Sequence, residues 1–159
     1  MTKLNNHEVE ITFEEFQQAI KRIEGCLIDK IIHYPDCVSL VDFYLKDQLN
    51  NQCYIFSTNY AWNLYENGDN LIVQSKINAK VNDQAIINSF KNKNLKSISS
   101  VDFSLGKVEE FETYVAIYFN NGMDLTCYLF DGCWISLLTN EGQVFEYDGG
   151  KFYVRQKNI

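Results

Sequence analysis

The chain has little that breaks regular structure. One proline, Pro35, and eight glycines interrupt 159 residues, so long disordered stretches are excluded except at the ends. Cysteines are five, an odd number with no C-x-x-C pair among Cys26, Cys37, Cys53, Cys127 and Cys133. That count argues against a disulfide framework, and the spacing against a zinc knuckle. Most of these cysteines sit in apolar runs, where a thiol acts as a small hydrophobe in a reducing compartment. There is no G-x-G-x-x-G, no Walker loop and no G-x-S-x-G. The opening "MTKLNNHEVEITFEEF" has no apolar core of signal-peptide length, and no run is long and apolar enough to span a bilayer. A cytoplasmic protein is therefore expected, with no membrane partner. Positive charge is also scarce. Fourteen Lys and Arg stand against 21 Asp and Glu, a net charge of −7, which disfavours nucleic acid and favours a basic protein partner.

Aromatic residues are plentiful, with 11 Phe, 10 Tyr and 2 Trp. Flat rings pack well on pleated surfaces, so strands are expected to dominate. The stretch "TFEEFQQAIKRIEG" carries helix signals. Thr12 and Glu15 form a T-x-x-E capping box, Phe16, Ala19, Ile20 and Ile23 share one face, and Gly25 can end the helix. Strands are then expected over 26–33, 38–45, 52–57, 60–66 and 71–75. A second helix is expected over 81–92, with Ile86, Ile87 and Phe90 on one face. Strands follow over 95–104, 113–119, 123–130, 133–138, 143–147 and 151–155. Asn–Gly and Asp–Gly turns separate several of them.

Nearly the same word appears twice, "QCYIF" at 52–56 and "TCYLF" at 126–130, each followed by a tryptophan. Cys53 and Cys127 are 74 residues apart, and Trp62 and Trp134 are 72 apart. The reading that follows is an α+β fold made by internal duplication of a helix plus antiparallel β-meander. Its pseudo-repeats span 12–76 and 80–148 of a single domain 1–159, as two half-sheets around a shared core. Trp62 and Trp134 would be matched core anchors, one in each half.

Chemistry is thinly marked. His33 and Cys37 flank "YPD", but neighbours across one turn rarely make a nucleophile–base pair. His7 lies near Glu8 and Glu10 in a polar tail. Neither a metal site nor a cofactor is expected. Asp148, Gly149 and Gly150 read as a turn rather than an anion nest. The insertion "KVEEFE" places Glu109, Glu110 and Glu112 around Phe111, and the first repeat has no counterpart. These four residues are the candidate partner-binding site.

The phrases "WNLYENGDNLIV" and "FNNGMDL", set in a helix-led strand meander, resemble those of small acidic bacterial immunity proteins of polymorphic or contact-dependent toxin systems. The resemblance covers residues 12–155 and transfers no binding-site residue. It implies an inhibitor that occludes the active or substrate-binding surface of a cognate toxin, and it implies no catalysis. The expected state is a monomer or weak homodimer. The competing expectation is a small-ligand or enzymatic domain with a pocket between the two repeats.

Overall fold

The computed structural model describes residues 8–34, 37–59, 61–68, 70–75, 90, 94–104, 113–130 and 132–157. Twelve strands, one short α-helix and one 3₁₀ turn account for its regular structure among these residues. A three-residue strand β1 (Val9–Ile11) precedes α1 (Phe13–Ile20). The capping box forms: the Glu15 amide donates to Thr12 Oγ1 at 3.1 Å, and the Thr12 amide donates to Glu15 Oε1 at 3.0 Å. A single 3₁₀ turn over Lys21–Ile23 continues the helix, and Gly25 leaves it at φ +81°. Phe16, Ala19, Ile20 and Ile23 are buried as one face.

The first strands are β2 (Leu27–Tyr34), β3 (Cys37–Asp47), β4 (Gln52–Thr58), β5 (Trp62–Glu66) and β6 (Asn70–Gln74). The second half supplies β7 (Ile98–Ser104), β8 (Tyr114–Phe119), β9 (Met123–Tyr128), β10 (Trp134–Thr139), β11 (Gln143–Asp148) and β12 (Lys151–Gln156). They form two antiparallel sheets. One has seven strands in the order β1-β12-β11-β10-β4-β3-β2; the other has five in the order β6-β5-β9-β8-β7. At one corner the sheets meet: Gly25 N donates to Ile98 O at 2.8 Å and Ile28 N donates to Lys96 O at 2.8 Å.

This architecture corrects the expected α+β duplication. The protein is mostly β, with α1 the one α-helix among the described residues. The expected second helix at 81–92 lies outside the described residues except for Phe90. Nor does each half of the chain own a sheet. The meander β2-β3-β4 extends through β10 and β11 from the second half, and β7-β8-β9 extends through β5 and β6 from the first. The crossings fall at 59–61 and 129–133. After the first crossing, Tyr128 N donates to Ala61 O at 3.0 Å in the five-stranded sheet.

The core lies between the sheets. Trp62 is fully buried and packs on Phe90 at 5.5 Å between ring centroids, and Phe43 packs on Phe90, Phe119 and Phe56. Helix α1 closes one end through Phe13 and Phe16, which touch Phe152 and, for Phe13, Phe103.

The repeated word is not repeated in three dimensions. β4 and β9 occupy corresponding places in their sheets, yet the pleat puts the word on opposite faces. Cys127 lies opposite Trp62 and is fully buried, whereas Cys53 lies opposite Lys46 and is exposed. The tryptophans differ likewise. Trp62 points into the core, while Trp134 is half-buried on the outer face and donates its indole N–H to Glu146 Oε2 at 2.6 Å. A one-residue shift in a period-two structure exchanges every side chain between core and surface.

Candidate functional site

Glu109, Glu110, Phe111 and Glu112 lie outside the described residues. The site that the described residues build is elsewhere, on the outer face of the five-stranded sheet. Alternation along three central strands creates it. In β9, Met123, Leu125 and Cys127 point inward, so Asp124, Thr126 and Tyr128 point out. In β8, Val115, Ile117 and Phe119 point inward, so Tyr114, Ala116 and Tyr118 point out. In β5, Trp62 and Leu64 point inward, leaving Asn63 and Tyr65 outside.

Register assembles these side chains into rows. Asn63, Thr126, Ala116 and Asp102 run across four strands, and Tyr65, Asp124, Tyr118 and Ser100 run beside them. Tyr128, Tyr114 and Ser104 form a third row. The centre of the face is short and polar, while its edges carry four large rings. Short residues among tall rings make a valley, and its floor is shielded although it faces out. Asn63 is 8% exposed, Asp124 6% and Thr126 8%. Tyr118 stands on the open side at 36% exposure.

Hydrogen bonds fix part of the rim. The Asn63 side-chain amide donates to Tyr65 Oη at 3.0 Å and to Tyr128 Oη at 3.3 Å, which uses both of its hydrogens. Tyr114 packs edge-on against Tyr128 at 6.3 Å. Burial, then a hydrogen bond with Tyr65, pushes the Tyr128 phenol up to about 12. Burial and the nearby Asp102 and Asp124 also raise Tyr118. Phenols held protonated in this way serve as hydrogen-bond donors and stacking surfaces rather than as nucleophiles.

The five strands of this sheet contain Glu66, Asp102 and Asp124 and no Lys, Arg or His. The seven-stranded sheet mixes signs, with Lys30, Lys46, Lys151 and Arg155 beside its acids. Two of its outer carboxylates, Asp42 and Glu146, are satisfied internally. Asp42 accepts from the Tyr34 hydroxyl and from Ser57 Oγ at 2.6 Å. Glu146 accepts from the Trp134 indole and from Arg155 Nε at 3.5 Å. The same outer face has a concavity of about 400 Å³ lined by Tyr44, Ile55 and Leu138, with Asp29 and Lys46 among its charged groups. Among the described residues no three His, Cys, Asp or Glu side chains come together as a metal site requires.

Asp124 differs from those satisfied carboxylates. Its one hydrogen-bond partner among the described residues is the Thr126 hydroxyl, and burial outweighs that bond to raise its pKa. Tyr65 on β5 and Tyr118 on β8 flank it, with Asp102 further along on β7. The folded protein thus binds the Asp124 proton more readily than the unfolded chain does. This carboxyl contributes its full stabilisation below the unfolded value near 4, and the contribution is lost as pH rises through the raised folded value. Asp124→Asn is therefore expected to raise the melting temperature by about 1–2 °C at pH 7. Thermal melts from pH 3 to 8 test this: the gain should vanish below about pH 4. A variant much less stable than the parent at pH 7 would show that Asp124 is needed for structure.

The chemistry available here is recognition through tyrosine rings and carboxylates. No protein-family model, no curated protein and no solved structure matches the chain. Sequence reasoning missed this face because half of it is non-local. The hairpin 114–128 alone would have paired Tyr-x-Ala-x-Tyr with Asp-x-Thr-x-Tyr, but nothing local announces that β5 joins β9.

Proposed function

We propose that this chain is a non-enzymatic binding protein that takes a basic protein partner on the outer face of its five-stranded sheet. In its most concrete form it is an immunity-type inhibitor that covers the active or substrate-binding surface of a toxin domain. The observation that carries this reading is the composition of one face: Asp102 and Asp124, with no Lys or Arg on its five strands, framed by Tyr65, Tyr114, Tyr118 and Tyr128. Tyrosine is enriched at protein interfaces because it offers large contact area with a polar tip. Carboxylates stand where a phosphate-binding toxin would otherwise meet its substrate, and the −7 net charge steers the encounter. The same charge repels nucleic acid itself.

The test begins with affinity capture from the native host, followed by association kinetics with the captured protein. The expected partner is basic, and its association rate falls by at least about tenfold from low salt to 0.5 M. A partner that associates at a salt-independent rate would overturn the reading. The concavity beside Tyr44 and Leu138 supports a second reading, a small-ligand site. It lies on the outside of one sheet, and ligand-induced thermal shifts abolished by Leu138→Arg would favour it.

A further inference from the structure

On the tyrosine face, one side chain is placed unlike the rest. Asp124 points away from the core, yet it is only 6% exposed. No Lys or Arg among the described residues pairs with it, and the Thr126 hydroxyl is its hydrogen-bond partner. A carboxylate has about four lone-pair positions, so most of its accepting capacity is unused. Burying a carboxylate without a cation is costly. The neighbouring sheet shows how this fold satisfies an outward carboxylate when structure is the aim: Glu146 has both an indole donor and Arg155.

The walls around Asp124 suit one kind of cation. Tyr65 and Tyr118 stand on the two flanking strands, directly opposite Asp124 in register. Strands lie about 4.8 Å apart, so the two tyrosine backbones are about 9.6 Å apart with the carboxylate between them. A cation seated on Asp124 would enter between two tyrosine-bearing strands, and a ring within about 6 Å attracts it through its π face. A planar guanidinium fits between two rings and can donate to both carboxylate oxygens at once. An ammonium acts as a hydrated point charge and gains less from either feature.

Resting on the reading of this face as the binding surface, we propose that Asp124, between Tyr65 and Tyr118, is the socket for an arginine side chain of the basic partner. Asp124 supplies the charge-assisted hydrogen bonds, and Tyr118 supplies the ring that closes over the guanidinium. The Asn63 amide holds Tyr65 in place as the opposite wall.

The experiment uses the full chain, ¹⁵N-labelled, titrated with end-blocked Gly-Arg-Gly, Gly-Lys-Gly and Gly-citrulline-Gly. The arginine peptide should shift amide resonances of β5, β8 and β9 with a dissociation constant in the range of about 1 mM. Lysine should bind about tenfold more weakly, and citrulline should give no response. Asp124→Asn keeps the side-chain shape and should weaken arginine binding at least about tenfold. Tyr118→Leu should weaken it about two- to fivefold, and Tyr118→Phe should retain it. Equal affinities for the arginine and lysine peptides, or unchanged arginine binding in Asp124→Asn, would overturn the socket. The captured partner separates the two levels. If it binds Asp124→Asn within twofold of the parent but loses affinity in Asp102→Lys, the socket is wrong and the face stands. If it is indifferent to both positions, the face is wrong too.

Discussion

Replacing Trp62 by alanine is expected to lower the melting temperature by about 6–20 °C, while the same change at Trp134 lowers it by about 2–8 °C. Trp62 is fully buried between the sheets, against Phe90. Its backbone is clamped on both sides by Ser75, whose hydroxyl accepts from Trp62 N at 2.7 Å and whose amide donates to Trp62 O at 2.9 Å. Truncation leaves a ring-sized cavity in surroundings that cannot collapse, at a cost of about 3–5 kcal/mol. Trp134 lies half-buried on an outer face, and its indole donates to Glu146. Its loss removes one charge-assisted hydrogen bond and some surface packing, about 1–2 kcal/mol. Glu146 keeps Arg155 as a partner. Urea unfolding of both variants measures the contrast. Equal losses would mean that the two tryptophans are equivalent anchors, as the repeated sequence alone suggests.

That contrast marks where the sequence was legible. The first helix could be read from Thr12, Glu15 and the Phe16–Ile23 stripe, because capping and periodicity are local signals. Strand positions were legible for the same reason, and so were turns such as 120–122 and 149–150, where glycine takes positive φ. The face each side chain presents was not legible at Cys53 and Trp134. A strand face is set by pairing, and β4 and β10 pair across a separation no local pattern encodes. The exchange of strands between sheets was hidden similarly: Trp62 in β5 finds its neighbour in Cys127. The acidic face escaped notice because Asp124 sits in an apolar run, "MDLTCYLF", where one acid looks incidental. Only register brings it between Tyr65 and Tyr118. The insertion around Phe111 drew attention through clustering in sequence, and it lies outside the described residues.

Reversing charge at Glu66 and Asp102 should have the largest effect on binding. Both are exposed, Glu66 at the end of β5 and Asp102 on the outer face of β7. Substitution at such positions changes stability by about 0.5 kcal/mol or less. The double variant Glu66→Lys/Asp102→Lys turns an attractive field into a repulsive one for a basic partner. Association at low salt should slow by about 10- to 100-fold, and the difference should shrink to a few-fold at 0.5 M salt as the charges are screened. Dissociation should change much less, because rim charges act mainly on encounter. Stopped-flow association with the captured partner gives both rates. A variant that binds as fast as the parent at low salt would remove electrostatic steering from this sheet.

The most direct measurement of the central claim is covalent labelling of tyrosines, read residue by residue by mass spectrometry with and without the captured partner. Tyr65, Tyr114, Tyr118 and Tyr128 mark the outer face of the five-stranded sheet, and Tyr44 and Tyr153 mark that of the seven-stranded sheet. Binding on the proposed face predicts strong protection of Tyr118, the most exposed of the first group at 36%, with Tyr44 and Tyr153 labelled as before. Protection of Tyr44 and Tyr153 with Tyr118 unchanged would contradict it and move the binding surface to the opposite sheet.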